Sequence, residues 1–235
     1  MTRPALFCAA LLLAAFALLA QSSRGTFVPP RATYATDLNY PVESSTAGLV
    51  SLSVGLDRDG HIVSSETLRD LPALTARSLI SVNNWTFTPA TLDGKQTESV
   101  IAVDILFNPR NVASAPVHLD APMRPARQMI PDYVPVQVES AVFAANPADT
   151  LTSGPVVLDV LVGASGRVQN ASAIYGSPPL TGAAISAVEQ WRFIPAHFRG
   201  ASFPATVAVV FVFRPPPLPN PPGSAPPPQA PPSGF

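Results

Sequence analysis

The sequence contains one segment twice, at a spacing of 106 residues. Residues 48–109 align with residues 154–215 without a gap. Most of the identical positions carry apolar residues, glycine or proline, as in the pairs Gly60/Gly166, Leu74/Leu180, Trp85/Trp191, Phe87/Phe193 and Pro89/Pro195. Residues of these types determine backbone turns and cores rather than chemistry. The duplication therefore predicts two copies of one small folding unit.

Each copy shows the pattern strand, strand, helix, strand. In the first copy, apolar residues alternate with small ones over 50–56, which predicts a half-buried strand. Gly60 permits a turn into a return strand at about 61–68, Pro72 suits a first helical turn, and a third strand follows at 99–107. The second copy repeats these steps at 156–162, 168–175, 180–191 and 206–213. The predicted fold class is α+β, with two small domains that each have a three-stranded antiparallel sheet and one helix.

The composition divides the chain into five parts. Arg3 precedes an unbroken apolar run from Ala5 to Ala20, which is typical of a secretory signal peptide and shorter than most membrane-spanning helices. An uncleaved anchor is the alternative. The C-terminal segment is rich in proline, which is typical of disordered chain. Between the two copies, the pattern of Val134–Ser140 predicts an extra edge strand. The predicted parts are a signal peptide at 1–20, a first domain at 38–109, a Pro-containing linker at 110–140, a second domain at 141–215 and a disordered tail at 216–235.

Charge and the reactive residues exclude several function classes. The net charge is −1 and only 12% of the residues are charged, which argues against a nucleic-acid-binding protein. The one cysteine, Cys8, lies inside the apolar run, and the three histidines, His61, His118 and His197, have no metal-ligand spacing. No common catalytic or nucleotide-binding motif occurs. We therefore expect no enzyme activity, no cofactor and no metal site.

The residues around the second tryptophan resemble a known family. The sequence from Ser177 to Leu180 reads Ser-Pro-Pro-Leu, and Val188 opens the pattern Val-x-x-Trp-x-Phe-x-Pro-Ala, followed by Gly200. This pattern resembles the C-terminal domain of TonB-family proteins of Gram-negative bacteria. The first copy keeps the skeleton over 82–90 but has threonine where the second copy has Arg192. Both tryptophans end an apolar helix stripe, so we expect them in the core.

The resemblance implies an exported, periplasmic, non-catalytic domain that binds protein partners, among them outer-membrane receptors. Such domains pair an extended partner segment with a sheet edge. Energy-transducing members carry a membrane helix with a Ser/His pair and a Pro-rich spacer before the domain. Here no histidine precedes His61, and the Pro-rich segment follows the domain. Two alternatives remain: an energy transducer anchored in the inner membrane, and an envelope scaffold that uses its tail.

The two copies differ on the outer face of their sheets. The first has Ser51, Ser53 and Asp104 where the second has Val157, Asp159 and Val210. An exposed apolar face usually marks a contact surface. We expect this face to pack on the other domain, on a second copy in a homodimer, or on a partner, with packing between the domains favoured. The candidate contact residues are Val157, Leu161, Ala208, Val210 and Val212.

Overall fold

The computed structural model describes residues 25–35, 38–41, 44–110, 113–119, 123–126, 129–147 and 152–216. The predicted signal peptide, and the predicted tail from residue 217 onward, lie outside the described residues. Within these ranges, no helix is both long enough and apolar enough to cross a membrane.

The elements of the first half follow the predicted order and add short strands around it. Pro72 occupies the first turn of the helix, and Gly60 has a φ of 88° in the preceding turn, so both residues act as the sequence predicts. The elements are β1 (Phe27–Val28), β2 (Arg31–Tyr34), β3 (Gly48–Leu56), β4 (Ile62–Arg69), α1 (Pro72–Val82), β5 (Thr86–Thr88), β6 (Ala90–Leu92), β7 (Lys95–Thr97) and β8 (Ser99–Asn108).

The second half repeats this order at the same spacing. The elements are β9 (Tyr133–Val134), β10 (Gln137–Ser140), β11 (Gly154–Val162), β12 (Val168–Tyr175), α2 (Leu180–Val188), β13 (Arg192–Ile194), β14 (Ala196–Phe198), β15 (Ala201–Phe203) and β16 (Ala205–Phe213). The predicted succession of strand, strand, helix and strand is confirmed in both halves. The mostly β content of the described residues, with two helices among them, is consistent with an α+β fold.

The structural repeat begins earlier than the sequence alignment indicated. β1 and β2 lie 106 residues before β9 and β10, and Val28-Pro29 recurs as Val134-Pro135. β2 pairs with β5 as β10 pairs with β13, which confirms the extra strand expected at 134–140. β9 and β10, which lie in the segment predicted to be a linker, pair with strands of the second half. The domain boundaries at 38–109 and 141–215 stay a prediction.

The predicted pair of separate three-stranded sheets is not what the structure shows. One six-stranded sheet has the order β12-β11-β16-β8-β3-β4. Its halves meet where β8 and β16 pair in parallel, from Val103 opposite Ala208 to Asn108 opposite Phe213. All other neighbours in this sheet are antiparallel. The physical reason is that both third strands are buried on both faces and their unpaired edges satisfy each other.

Two hydrophobic cores lie on opposite faces of this sheet. The first core contains Leu74 and Val82 of α1 together with Val157, Ala208, Val210 and Val212 of the second half. The second core contains Leu180 and Val188 of α2 together with Leu49, Val100, Ala102 and Leu106 of the first half. Each helix thus covers one face, and side chains of both halves contribute to each core. As a result every residue of β3, β8 and β16 is buried.

The segments before each repeat complete the two cores. Ala32, Leu38 and Tyr40 belong to the first core, and Ile130, Tyr133, Val136 and Val138 to the second. Phe27 and Tyr133, which occupy equivalent positions in the repeat, contact each other with ring centroids 4.6 Å apart. Trp85 and Trp191 are buried, as predicted, and the Trp191 indole donates a 3.0 Å hydrogen bond to the carbonyl of Val142.

A shared sheet predicts that both halves unfold together. We expect Val210→Ala, at the β8–β16 ladder, to lower the free energy of unfolding by about 1–3 kcal/mol through the cavity it leaves. The loss should be equal in Trp85→Phe and Trp191→Phe backgrounds, where the remaining tryptophan reports on one half. Val63→Ala in β4, where the side chain is 57% exposed, is the control and should change stability little. Urea unfolding followed by fluorescence measures this, and unequal losses from Val210→Ala in the two backgrounds would contradict it.

Candidate functional site: the two edges of the sheet

The structure buries most of the residues that the sequence nominated for partner contact. Val157, Ala208, Val210 and Val212 are at most 1% exposed and lie in the first core, and Leu161 is half-buried. The side chains that cover them come from the first half and from the N-terminal segment. The face expected to be open is therefore closed to a partner in this structure. Of the three coverings considered, packing between the two halves is the one observed.

The strands at the two ends of the sheet, β4 and β12, remain open. Each pairs with a single neighbour, β3 and β11 respectively, so backbone groups on its outer side are not used within the sheet. Both strands contain bulges, which are common at sheet edges. Unpaired N–H and C=O groups along an edge are a template for another extended chain. Sequence reasoning missed these edges because strand order depends on contacts between distant residues.

The β4 edge is partly occupied by the chain itself. The backbone N–H of Arg124 donates a 2.8 Å hydrogen bond to the carbonyl of Leu68, near the end of β4. A shallow groove of about 430 Å³ lies between Ile62–Ser65 of β4 and Leu79 and Asn83 at the end of α1. The surroundings of this edge carry charges of both signs, since Asp57, Arg58, Asp59, Glu66 and Arg69 lie in or beside it.

The β12 edge is almost without charge, and β2 and α2 pack against this strand. Among the described residues, no backbone hydrogen bond joins β12 to any chain segment other than β11. The side chains of Gln169, Asn170, Ser172 and Ala173 are exposed. Between Val160 and Val188, Arg167 is the only charged residue in the sequence. An extended segment laid along β12 would meet small or neutral side chains over its whole length.

Two buried carboxylates lie beneath the sheet faces. Asp104 of β8 is 1% exposed, and Ser51 Oγ donates a 2.5 Å hydrogen bond to its Oδ1. Burial raises the pKa of Asp104 from 3.8 to about 7, against the opposing effects of the Ser51 hydrogen bond and the Arg69 charge. Asp159 of β11 forms an ion pair with Arg31 of β2, with Arg31 Nε 3.1 Å from Oδ2. Both carboxyl groups lie in packed interiors, so their interactions bear on the stability of the fold.

The turn between β3 and β4 brings together Asp57, Asp59 and His61, whose ligand atoms lie within 4.8 Å of one another. Sequence reasoning assigned no ligand role to His61. Asp57 Oδ1 accepts hydrogen bonds from the backbone N–H groups of His61 and Asp59, at 2.8 and 2.9 Å, and its Oδ2 lies 3.2 Å from His61 Nδ1. These bonds, that from His61 above all, lower the pKa of Asp57. Asp57, Asp59 and His61 therefore form a turn that the Asp57 carboxylate stabilises.

An aromatic cavity lies outside the six-stranded sheet, beside β1, β14 and β15. It has a volume of about 420 Å³ and is lined by Phe27, Phe198, Phe203 and Arg199, with glycine backbone between them. The Arg199 guanidinium lies over the Phe198 ring, 5.0 Å from its centroid. The lining residues contain no pair of titratable groups that could transfer a proton. Its geometry is that of an apolar cleft rather than a catalytic centre.

Comparison with known proteins supports the family resemblance for the second half. The family model described as Gram-negative bacterial TonB protein C-terminal matches residues 148–215. This range contains β11 to β16 and α2, and therefore the β12 edge. It supports a TonB C-terminal domain in this part of the chain, of a family whose members are periplasmic protein-interaction modules. No curated protein and no solved structure matches the chain.

The raised pKa of Asp104 predicts a pH dependence of stability. A carboxyl group with a raised pKa in the folded state stabilises the fold fully below about pH 4, and this contribution is lost as the pH rises through about 7. Asp104→Asn should therefore flatten the decline in the free energy of unfolding between pH 4 and 8. Asp59→Asn, in the exposed turn, is the control and should leave the decline intact. Urea titrations across this pH range test it, and equal slopes for wild type and Asp104→Asn would contradict the assignment.

Proposed function

We propose that this protein is a periplasmic, non-catalytic protein-binding module that binds extended segments of partner proteins along an open sheet edge. The observation that carries the proposal is that β4 and β12 each have one neighbouring strand in the sheet, whereas each of the four central strands is paired on both sides. The family match over 148–215 supports the same class of function. Outer-membrane receptors are the partner class that the resemblance indicates.

The physical basis of such binding is hydrogen bonding between backbones. An added strand pairs its N–H and C=O groups with the free groups of the edge, at about 1 kcal/mol net for each bond. Alternate side chains of the added strand then contact the two faces of the sheet, which gives specificity. An edge of eight residues, the length of β4 or of β12, offers enough bonds for a weak to moderate complex.

We also propose that the first half is a second, diverged copy of the same domain. The equivalent order and spacing of its elements support this. The two halves also carry identical residues at the positions Trp85/Trp191 and Phe87/Phe193. In this account the copy has a structural role at the centre of the sheet. The third strand of each repeat, β8 or β16, is paired on both sides within the sheet and has no edge for a partner. A partner strand would therefore pair with the second strand of a repeat, β4 or β12.

A non-catalytic role is supported by where the polar residues lie. Asp104 and Asp159 are buried in packed cores, and the cluster at Asp57 forms the hydrogen bonds of its own turn. A partner can reach backbone groups and small side chains at the edges far more easily than it can reach any pair of acid–base groups. Binding is the chemistry that this surface offers.

Site-specific photo-crosslinking in cells tests the proposal. Benzoylphenylalanine placed at Gln169 of β12 and at Val63 of β4, which are equivalent positions of the repeat, should capture envelope proteins from at least one site. Ile80 on the outer side of α1 is 68% exposed and serves as the control, because it belongs to neither edge. Capture from neither edge above the level at Ile80 would contradict the proposed function.

A further inference from the structure

We propose that the aromatic cavity beside β1, β14 and β15 binds the Pro-rich segment at residues 217–235 of the same chain. This site is separate from the proposed binding edges, because the cavity lies outside the six-stranded sheet. Three features lead to it: the chemistry of the cavity walls, the composition of the segment, and the distance between the two.

The walls of the cavity are aromatic rings at different angles. The Phe27 ring is stacked with the Phe198 ring, with centroids 5.3 Å apart, and meets the Phe203 ring edge-on at 6.0 Å. Phe198 and Phe203 are half-buried, so part of each ring faces the cavity and the solvent. The Arg199 guanidinium extends this surface, since it lies over the Phe198 ring. Aromatic-lined grooves of this kind bind proline-rich segments in several domain families.

Backbone groups around the cavity already have partners within the chain. The backbone N–H of Thr26 donates a 2.8 Å hydrogen bond to Asp93 Oδ1, and its carbonyl accepts the N–H of Asp93 at 2.9 Å. The backbone N–H of Arg199 donates to the carbonyl of Asp132 at 2.9 Å. A polyproline II helix needs no backbone ladder, because its prolines lack the N–H group. It therefore suits these walls better than an added β-strand does.

The aromatic walls belong to the second repeat, which is the repeat that the Pro-rich segment follows. Phe198 and Phe203 correspond to Leu92 and Thr97 in the first repeat. Two rings are therefore replaced there by an aliphatic side chain and by a hydroxyl-bearing one. The residue pairs also supply matched substitutions for a test.

The Pro-rich segment has the composition that such a cavity would take. Residues 217–235 contain no charged residue, and five of the seven residues at 226–232 are proline. An uncharged segment loses no charge hydration when aromatic rings cover it. Proline also restricts the free chain, so less conformational entropy is lost on binding.

The segment is long enough to return to the cavity. β16 extends from Ala205, two residues after Phe203, to Phe213, a strand of nine residues that spans about 30 Å at ~3.3 Å for each residue. As a polyproline II helix, the 19 residues at 217–235 span about 59 Å at ~3.1 Å for each residue. About ten residues therefore cover the length of β16, which brings residues 226–232 to the cavity.

The covalent connection makes a weak contact sufficient. A tether within one chain gives an effective concentration on the order of 1 mM. A contact with a dissociation constant of about 1 mM then leaves about half of the chains in the bound state. No large interface is needed for the cavity to be occupied.

Photo-crosslinking within the purified full chain tests the inference. Benzoylphenylalanine at Ala201, an exposed residue of the cavity wall, should crosslink to residues 226–232 of its own chain, as located by mass spectrometry. Lys95 is exposed at the equivalent position of the first repeat and is the matched control, from which we expect no such crosslink. Dilution of the protein should leave the yield from Ala201 unchanged, because the contact lies within one chain.

Two changes should each lower the yield from Ala201. Phe203→Thr introduces the residue of the first repeat, and a tenfold weaker contact, equivalent to about 1.4 kcal/mol, lowers the occupancy from about half to about a tenth. Alanine in place of the five prolines at 226–232 keeps the length of the segment and the cavity, so it decides the question even if Phe203→Thr disturbs the fold. Ile194→Thr, at a residue that is 44% exposed and outside the cavity, is the control and should leave the yield unchanged.

The remaining outcomes would overturn the inference without touching edge binding. They are a crosslink from Ala201 to residues before Gly25, a crosslink to the Pro-rich segment of a second copy, and equal yields from Ala201 and Lys95. An unchanged yield after the proline-to-alanine replacement would also overturn it, because the contact would then not depend on proline. Loss of capture at Val63 and Gln169 would count against the proposed edge binding and leave this site unaffected.

Discussion

The parallel ladder between β8 and β16 is the interaction on which the rest of the structure depends. Both strands are buried along their whole length, and each has a neighbour from its own repeat on one side and the other repeat on the second side. Without that ladder each repeat would expose a long apolar edge, which is a site of aggregation in most proteins. Pairing of β8 with β16 removes this liability inside a single chain.

The same ladder determines where the helices and the connecting segments pack. Because the joined strands run in the same direction, the two repeats present opposite faces, and α1 and α2 cover different sides of one sheet. Each helix covers half of one face. The other half of the first face is covered by residues before β3, such as Ala32, and the other half of the second face by residues before β11, such as Val136. Arg31 binds Asp159 on one face, and Pro30 accepts a 2.9 Å hydrogen bond from the Thr206 hydroxyl nearby. The proposed binding edges are then the second strands, at the two ends of the sheet.

Much of the local structure could be predicted from the sequence. Alternation, Gly60 and Pro72 indicate the strands, turn and helix of the first repeat, and the apolar stripe places Trp85 and Trp191 in the cores. The strand pairing could not be predicted from the sequence. An apolar residue such as Val210 indicates that its face of the sheet is covered, but it does not indicate which segment covers that face. The strands of two to four residues, among them β1 and β2, are too short to give a periodic signal.

The open edges could not be predicted for the same reason. Gln169 and Val63 lie in strands with similar local patterns, and only the sheet order shows that both are at an end. The contact of Arg124 with β4 could not be predicted either, because nothing in the sequence around Arg124 indicates that it binds this strand. Charge is the exception, since the absence of acidic residues around β12 is visible in the sequence once the edge is known.

A distance between the two edge strands tests the single shared sheet most directly. Spin labels at Val63→Cys and Gln169→Cys, with Cys8→Ser, lie at about the same level on β4 and β12, with five strand spacings between them. At ~4.8 Å for each spacing, the backbone separation is about 24 Å. Double electron–electron resonance should therefore give one narrow distribution, displaced above that value only by the twist of the sheet and the length of the two label side chains. A broad distribution, or one centred well above that value, would mean that the repeats do not share a sheet.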